Sequence, residues 1–389
     1  MLNIIVMELL IIGGTGVLSG AVAKEAVKQG IVVTILHRGT KPHMIPTGAK
    51  SIIVDVNNDD AVRYSLSKRH FDCIIDFICY NKRQLQHSFE LFHAYTDQYV
   101  FVSTTCVYDA LVPGVKNESS KKLFKPWDYS VEKCECEEYL VKASTEVGVP
   151  YTIIRPCVTY DNSRIPYGLV PVYGYHWTFI GRILNNKPVL TWGQGKARWN
   201  LMRVEDFAVG VVGTFGNSHA YYQAYNVSGD EAYSWQEVLN SLSNVIKYKI
   251  DTYDISPDDY MNLEKARKGE IYARSLDSIV DNRKIKELVP NFKTTIDLDE
   301  GVRQVVNYYK EHNYLKGIDY SFDGSIDRII AQHAKLHNIS IVSKNLKFVD
   351  YLGNATIKDR LSYLCGRYSG SFLGKVFGVV KSIANKIFK

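Results

Sequence analysis

Short runs of apolar residues alternate with amphipathic stretches through the first half of the chain. The runs are nearly continuous in Val, Ile and Leu, which is typical of strands buried on both faces of a parallel sheet. The intervening stretches place their apolar residues on one side of a helix. The pattern predicts strands at 9–12, 32–36, 51–54, 73–77, 99–103 and 151–154, with helices at 17–29, 81–95 and 129–147. This alternation indicates an α/β fold whose sheet is parallel and doubly wound.

The pattern loosens after residue 165, where loops rich in Gly, Trp and Tyr follow. Later helices are predicted at 235–245, 298–311 and 325–337. We therefore expect three parts: a sheet-based domain over 1–165, a smaller lobe over 166–340 that is interleaved with it, and an extension over 341–389. At 389 residues and 46% apolar composition, the chain is long enough to bury a large core.

Charge is distributed unevenly along the chain. Residues 340–389 contain nine Lys or Arg and two Asp or Glu, a net charge of +7. Since the whole chain carries +6, the first 339 residues sum to about −1. Tight binding to a phosphate backbone requires a basic surface, so the near-neutral body argues against a nucleic-acid partner.

Cysteine usage and the N-terminus predict a cytoplasmic protein. The seven cysteines form no CxxC pair, and Cys73, Cys79 and Cys157 lie in apolar runs, which is typical of free thiols in a reducing compartment. Cys134 and Cys136 are two apart on a predicted helix and point in different directions, so we expect no metal site. The apolar N-terminus lacks the basic segment and cleavage site of a signal peptide. No apolar run reaches the ~18 residues that span a membrane.

A glycine-rich segment, IIGGTGVLSG at 11–20, lies between the first predicted strand and helix. Gly13 permits a tight turn, and Gly16 lets the backbone approach a pyrophosphate at the helix N-terminus, where free N–H groups favour anions. Ser19 stands at the usual third glycine position and is small enough to pack there. The spacing predicts a dinucleotide site formed by Gly13, Thr15, Gly16, Val17 and Leu18.

The end of the second strand bears on the choice between NAD and NADP. An NAD-specific protein usually has an acidic residue there, which binds the ribose hydroxyls. This chain has His37 and Arg38, and a guanidinium can pair with the 2′-phosphate of NADP. Arg38 therefore favours NADP unless it is only a solvated loop residue, and NAD remains open. Asp55, after the third strand, suits a contact to the adenine amino group.

The sequence YSVEK at 129–133 places a tyrosine and a lysine at i and i+4 on one face of a predicted helix. A tyrosine hydroxyl is a poor base at its ordinary pKa of about 10, and a neighbouring ammonium group favours the phenolate. Lys133 can also hold the nicotinamide ribose. Hydroxyl groups at 103–105 follow the fifth strand, where they can hydrogen-bond a substrate oxygen. Tyr129 and Lys133 are therefore the candidate catalytic pair.

Five segments together resemble the extended and atypical short-chain dehydrogenases/reductases, the NAD-dependent epimerase/dehydratase family that includes UDP-galactose 4-epimerase. In chain order these segments are GGTGVLS, STTCVYD, YSVEK, IIRPCVTYD and RVEDFA. The resemblance covers roughly 7–337 and implies a Rossmann-type fold with a smaller substrate lobe. It is greatest to an atypical bacterial branch related to the chloroplast stem-loop RNA-binding proteins. It further implies a small-molecule substrate, a nucleotide sugar, and hydride transfer at a sugar carbon.

The resemblance also assigns roles to individual residues. It places the catalytic hydroxyl on Thr104, the acid/base on Tyr129 and its partner on Lys133. Phe77 and Ile78 are expected to contact the cofactor. By the same resemblance, Pro156 is expected to border the nicotinamide, and members of the family often form homodimers.

Two departures from the family pattern narrow the activity. The 4,6-dehydratases carry an acidic pair inside the fifth-strand motif, where this chain has Thr105 and Cys106, so a dehydratase is disfavoured. The family's arginine for the substrate diphosphate falls on Trp199. Arg198 is adjacent, so either Arg198 binds the substrate or the substrate differs.

Three functions remain open on the sequence. The first is an epimerase that keeps its cofactor bound and returns the hydride to the other face of the sugar. The second, which Arg38 favours, is a ketoreductase or dehydrogenase that consumes NADPH. The third is a non-catalytic RNA-binding or scaffold protein of the stem-loop-binding kind, against which the catalytic trio and the near-neutral body argue.

The last nineteen residues, 371–389, form a predicted amphipathic helix. At ~100° per residue, one face is apolar and the opposite arc carries lysines. The apolar face contains Phe372, Leu373, Val376, Phe377, Val379, Val380, Ile383, Ile387 and Phe388, and the lysines are Lys375, Lys381, Lys386 and Lys389. Such a helix can lie on an anionic membrane as a peripheral contact or pack against protein.

Overall fold

The computed structural model describes residues 6–172, 174–341, 346, 348–351 and 355–387. By their contacts these residues divide into two compact units. The first contains 1–161, 198–232 and 277–296, and the second, smaller one contains 162–197, 233–276 and 297–389. The limits at 165 and 340 that the sequence suggests for separate parts stay a prediction. Residues 342–345, 347, 352–354, 388 and 389, within the predicted extension, lie outside the described residues.

The first unit is built on a seven-stranded sheet in which all neighbouring strands are parallel. The strands are β1 (Glu8–Ile12), β2 (Val32–His37), β3 (Lys50–Ile53), β4 (Cys73–Asp76), β5 (Tyr99–Val102), β6 (Tyr151–Pro156) and β10 (Gln223–Val227). Their order is β10-β6-β5-β4-β1-β2-β3, so the chain changes direction across the sheet between β1 and β4. The predicted parallel, doubly wound sheet is confirmed.

Helices cover both faces of this sheet. They are α1 (Val17–Lys28), α2 (Asp59–Leu66), α3 (Lys82–Phe92), α4 (Asp128–Val147), α6 (Val204–Val212) and α10 (Arg283–Leu288), and the short strands β7 (Val158–Tyr160) and β9 (Arg198–Arg203) also belong to this unit. Successive strand side chains point to opposite faces. Leu9 and Ile11 lie in the core that contains α1 and α6, whereas Leu10 and Ile12 lie in the core that contains α2, α3 and α4. This two-sided burial explains the near-continuous apolar strands.

The second unit is mainly helical. Its elements are α5 (Trp177–Leu184), α7 (Trp235–Ile246), α8 (Pro257–Leu263), α9 (Lys268–Arg274), α11 (Leu298–Glu311), α12 (Tyr320–Leu336), α13 (Ile357–Arg367) and α14 (Phe372–Ile387), with short strands β8 (Val189–Thr191) and β12 (Thr252–Asp254). Strand β11 (Ala232–Ser234) spans the boundary between the units. The predicted C-terminal helix is confirmed as α14.

Helices α12 and α13 approach each other at two glycines. A Cβ on Gly324 would lie 2.3 Å from the Tyr363 carbonyl oxygen, and one on Gly366 would lie 2.1 Å from that of Ser321. Helix α12 is anchored in turn by a buried charge cluster, in which Asp323 pairs with Arg182 at 2.6 Å and Lys187 at 2.5 Å. Among the described residues, no helix is long and apolar enough to cross a membrane.

Candidate active site

The glycine turn between β1 and α1 leaves no room for side chains at its first two positions. Gly13 has φ +82°, a left-handed conformation that favours glycine, and a Cβ there would lie 2.2 Å from Ile78 Cγ2. A Cβ on Gly14 would lie 2.6 Å from Ile35 Cγ2. The turn therefore presents bare backbone at the start of α1, the kind of cradle that a dinucleotide pyrophosphate requires.

Ser19 stabilises this turn through its hydroxyl group. Its Oγ accepts a hydrogen bond from the Gly16 N–H at 2.9 Å and donates one to the Gly13 carbonyl, also at 2.9 Å. The side chain thus joins the two ends of the turn, whereas the sequence predicted only a packing role. Val17 and Leu18 form the first turn of α1, and with Thr15 they are half-buried. The residues present fit a bound dinucleotide.

The ends of β2 and β3 carry the residues predicted for the adenosine. His37 is 6% exposed; its Nδ1 accepts a hydrogen bond from the Gly39 N–H at 3.0 Å, and burial lowers its pKa, so the ring is neutral near pH 7. Its buried Nε2 has no partner within the described part of the chain. That nitrogen is available to a ribose or phosphate oxygen.

Arg38 and Asp55 are both exposed at this edge of the sheet. Hydrogen bonds from the backbone and side chain of Asn57, together with the charge of Arg38, hold the pKa of Asp55 below its ordinary value. Asp55 is therefore an anion near Arg38. The positive charge of Arg38, which could pair with the 2′-phosphate of NADP, thus already has an anionic neighbour in the protein.

A buried carboxylate orders the segment after β4. Asp76 is fully buried and accepts hydrogen bonds from the Ile78 N–H at 2.8 Å, Ser88 Oγ at 2.5 Å and the Tyr99 hydroxyl at 2.9 Å. These bonds hold Phe77 and Ile78, both half-buried, at the carboxyl end of the strand. Both residues were predicted to contact the cofactor.

Lys133 connects α4 to the sheet by hydrogen bonds. Its ammonium group donates hydrogen bonds to the carbonyl of Cys79 at 2.7 Å and to that of Val102, the last residue of β5, at 2.9 Å. The side chain is 3% exposed, and burial lowers its pKa. Tyr129 precedes it by one turn of α4, is half-buried, and has its ring centroid 5.3 Å from that of Trp127.

Ser103 and Thr104, the first two hydroxyl residues after β5, have different surroundings. Thr104 is 6% exposed, and its Oγ1 accepts a hydrogen bond from the Cys106 N–H at 3.1 Å, which caps the following short helical turn. That bond fixes the side chain and leaves its hydroxyl proton for another acceptor. Ser103 instead donates to Glu137 at 2.7 Å, so its hydroxyl belongs to the interior.

Glu137 forms a buried ion pair that sequence reasoning missed. Its carboxylate accepts hydrogen bonds from Arg155 Nε at 2.9 Å and Nη2 at 2.7 Å, and from Lys122 Nζ at 2.9 Å. Burial acts to raise the pKa of Glu137, but the bonds and charge of Arg155 outweigh it, and the pKa lies below its ordinary value. The sequence places Glu137 on the same face of α4 as Lys133 but gives no signal of its partner, because Arg155 lies on β6. Pro156, which the family resemblance places beside the nicotinamide, is buried directly after Arg155.

Arg198, the predicted substrate contact, is exposed at the start of β9, and its Nη2 donates to the Ala232 carbonyl at 2.5 Å. Trp199 beside it is 2% exposed. A polar cleft of about 470 Å³ in the same unit is lined by none of the predicted site residues; its lining is Val115, Asn117, Asn200, Asp230, Ala232, Ile279, Val280, Asp281, Asn282 and Arg283.

The sheet topology and the glycine turn together define a Rossmann-type α/β fold of the dinucleotide-binding class. Comparison with known proteins agrees. The sequence profile of the NAD dependent epimerase/dehydratase family matches residues 9–228, more than half of the chain. The chain belongs to this family, and the resemblance inferred from its motifs is confirmed.

Individual relatives are distant. The chain is 23% identical over 336 residues to the chloroplast stem-loop binding protein of 41 kDa b of Arabidopsis thaliana, covering 82% of this chain and 84% of that protein. It is 27% identical over 185 residues to a putative UDP-glucose 4-epimerase of Methanocaldococcus jannaschii, covering 48% and 54%. The solved UDP-glucuronic acid 4-epimerase of Bacillus cereus, in complex with UDP-glucuronic acid and NAD, superposes with a TM-score of 0.62 at 17% identity, covering 78% and 99%. At that identity the superposition shows the shared fold.

Proposed function

We propose that this protein is an NAD(P)-dependent, epimerase-type oxidoreductase that acts on a nucleotide sugar. The observation that carries the proposal is the position of Lys133, which follows Tyr129 by one turn of α4. Its ammonium group donates to the carbonyl of Cys79, three residues after β4, and to that of Val102, the last residue of β5. Ligands of doubly wound sheets bind outside the carboxyl ends of the strands. Lys133, Tyr129 and Thr104 belong to that edge, as do the residues that would hold a dinucleotide.

Tyr129 is the proposed acid/base. It takes the proton of a sugar hydroxyl, while Thr104 donates a hydrogen bond to the reacting oxygen. A bound dinucleotide would accept the hydride from the carbon that bears this hydroxyl and would return it to the opposite face of the sugar. The ammonium group of Lys133 favours the phenolate form of Tyr129. Tyr129 gives the proton back when the new epimer forms, so the protein ends the cycle unchanged.

Arg198 is the proposed contact to the substrate diphosphate. Its guanidinium lies exposed at the start of β9, and the carbonyl of Ala232 accepts one of its hydrogen bonds. A planar guanidinium can pair with a phosphate through two parallel hydrogen bonds, which supports Arg198 as the diphosphate contact. The acidic pair of the dehydratases is replaced by Thr105 and Cys106, which supports an epimerase or reductase over a 4,6-dehydratase.

The proposal is tested with the purified protein and a panel of UDP- and dTDP-sugars. An epimerase interconverts two sugar epimers with no added cofactor and no net reduction of NAD or NADP. Conversion that consumes NADPH stoichiometrically would favour the ketoreductase or dehydrogenase. If the protein retains no dinucleotide, converts no sugar and binds a stem-loop RNA, the third function replaces the proposal.

Arg38 is the specific observation that favours the reductase, through NADP. If Arg38 pairs with a 2′-phosphate, Arg38→Ala is expected to lower the affinity for NADP(H) by roughly 10- to 150-fold and to leave the affinity for NAD(H) nearly unchanged. This factor corresponds to the loss of one charge-assisted contact of about 1.5–3 kcal/mol. Fluorescence titration of both reduced dinucleotides measures this. Arg63→Ala, which removes an exposed arginine on α2, is the control. An equal loss of affinity for NADH and NADPH would show that Arg38 does not contact the 2′-phosphate and interacts only with its own loop and Asp55.

We also propose that α14 attaches the protein to an anionic membrane surface. The described apolar residues of its face are mostly exposed: Phe372 79%, Leu373 48%, Val376 41%, Val379 61%, Val380 42% and Ile383 51%. Lys375 is exposed as well, and the sequence contains no Asp or Glu after Asp359. An exposed apolar face on a purely cationic segment is complementary to acidic lipid. The side chains at 386–389 lie outside the described residues.

A chain that ends at residue 370 is expected to lose this attachment. The full chain is expected to co-sediment with phosphatidylserine vesicles at low salt and to be released as salt rises, because screening weakens the lysine contribution. Phosphatidylcholine vesicles and the truncated chain are the controls. If the full chain stays in the supernatant, the membrane proposal fails. A shift from dimer to monomer on truncation would instead assign the apolar face to a second copy, and a homodimer is otherwise only a prediction.

A further inference from the structure

A second cluster of titratable side chains lies in the second unit, where α8 packs against α12, and the proposed function does not use it. Asp259 lies in the first turn of α8, and His333 and His337 lie at the end of α12. One ligand atom from each of the three residues lies within 4.8 Å of the others. Two imidazoles and a carboxylate form a ligand set that zinc and neighbouring transition metals prefer.

The distances within the cluster are long for direct hydrogen bonds and equal the separation of two ligands of one cation. His333 Nε2 is 3.3 Å from Asp259 Oδ2, and His337 Nε2 is 3.5 Å from Asp259 Oδ1. A favourable N–H···O contact is usually about 2.9–3.0 Å long. Two ligand atoms that are each ~2.0–2.1 Å from a tetrahedral zinc ion are about 3.3 Å apart. The two distances from the Asp259 carboxylate to the imidazole nitrogens are therefore those expected for ligands of one metal ion.

Local structure explains why the two histidines converge. They are four residues apart, the His337 N–H donates to the His333 carbonyl at 3.1 Å in helical fashion, and their ring centroids are 4.4 Å apart. His333 is 6% exposed, whereas His337 is exposed and Asp259 is half-buried. Three protein ligands with one side open to solvent leave the fourth position of a tetrahedral ion to water.

Neighbouring polar groups hold two of the ligands in position. The Tyr253 hydroxyl lies 2.9 Å from His333 Nδ1, the nitrogen turned away from the cluster. When Nε2 binds a metal, Nδ1 carries the proton and donates it to such an oxygen, which orients the ring. Ser256 Oγ donates to Asp259 Oδ2 at 2.7 Å and fixes the carboxylate. Ser256 is also the N-cap of α8, so the same hydrogen bonds fix both the start of the helix and the carboxylate.

From this geometry we infer that Asp259, His333 and His337 bind a divalent transition-metal ion, with zinc the best match. The all-oxygen preference of Mg²⁺ and Ca²⁺ excludes them from a site with two imidazoles. The bound ion joins α8 to α12. Its ligand on α8, Asp259, lies more than seventy residues before its ligands on α12. The ion therefore stabilises the second unit. The sequence alone predicted no metal site, so this inference departs from that expectation.

The test uses the full chain, stripped of metal with a chelator and then titrated with Co²⁺ and Zn²⁺. We expect one Co²⁺ per chain with the visible absorption of a tetrahedral site, and a higher Tm with Zn²⁺. His337→Ala, a change at an exposed position, should abolish the absorption and the Tm shift. Tyr253→Phe should weaken metal affinity by about 10-fold or more.

His70→Ala is the matched control, because His70 is an exposed histidine that contacts a carboxylate, Asp97, at 2.8 Å. This variant should bind metal as the unaltered chain does. Equal Tm shifts in the unaltered chain and in His337→Ala would overturn the proposal, as would metal uptake only at millimolar concentration. Unchanged circular dichroism and metal-free Tm in His337→Ala establish that the variant is folded.

Discussion

Replacement of Tyr129 by Phe is expected to leave fold and cofactor binding intact while lowering turnover by at least about 100-fold. The substitution removes only the hydroxyl group that is proposed to exchange a proton with the sugar, and general acid–base catalysis typically contributes 10²–10⁴-fold. The anchoring of α4 by Lys133, through the carbonyls of Cys79 and Val102, does not depend on that hydroxyl. Sugar conversion, dinucleotide affinity and Tm are therefore measured on the same preparation.

Tyr139→Phe provides the matched control, since it makes the same chemical change at another half-buried position of α4. It is expected to retain turnover within a few-fold. Turnover of Tyr129→Phe near the level of the unaltered protein would remove Tyr129 from the mechanism. A variant that lost dinucleotide affinity and Tm together would indicate a structural role for the hydroxyl instead.

Glu137→Gln is expected to destabilise the first unit by about 3–5 kcal/mol, the usual cost of leaving a buried charge without its partner. Glutamine keeps the size of the side chain but removes the negative charge opposite Arg155, which is 3% exposed. Urea unfolding at pH 7 measures the loss. Glu138→Gln, at the next and exposed position of α4, should change stability by less than about 0.5 kcal/mol. If the free energy of unfolding of Glu137→Gln lay within 1 kcal/mol of that of the unaltered chain, the Glu137–Arg155 pair would contribute little to stability.

The same residue predicts a pH dependence. Its pKa is lower in the folded than in the unfolded chain, where a glutamate titrates at about 4.3. Its carboxylate therefore contributes stability that is fully present above the unfolded value and is lost as pH falls through the folded value. Unfolding of the unaltered chain should show this acid-side loss, and Glu137→Gln should show less of it. Identical slopes for the two proteins in that window would contradict the assignment.

Residue patterns alone predicted the sheet, the position of the glycine turn between β1 and α1, and the helix with Tyr129 and Lys133. These features depend on local spacing, because strand side chains alternate between faces and helix residues four apart share one. Gly13 and Gly16 could be read in the same way, since a tight turn between a strand and a helix restricts the residues that fit. The family motifs added Thr104, whose catalytic role is still a prediction.

Only the tertiary structure decided which distant residues meet. Glu137 and Arg155 pair because α4 packs on β6, and their spacing in the chain carries no sign of it. Asp259 lies 74 residues before His333, so the HxxxH spacing at 333–337 alone did not reveal a third ligand. Arg38 acquired an anionic neighbour, Asp55, through the order of β2 and β3. Local spacing determines which side of an element a residue occupies, whereas the partner on that side depends on how the elements pack.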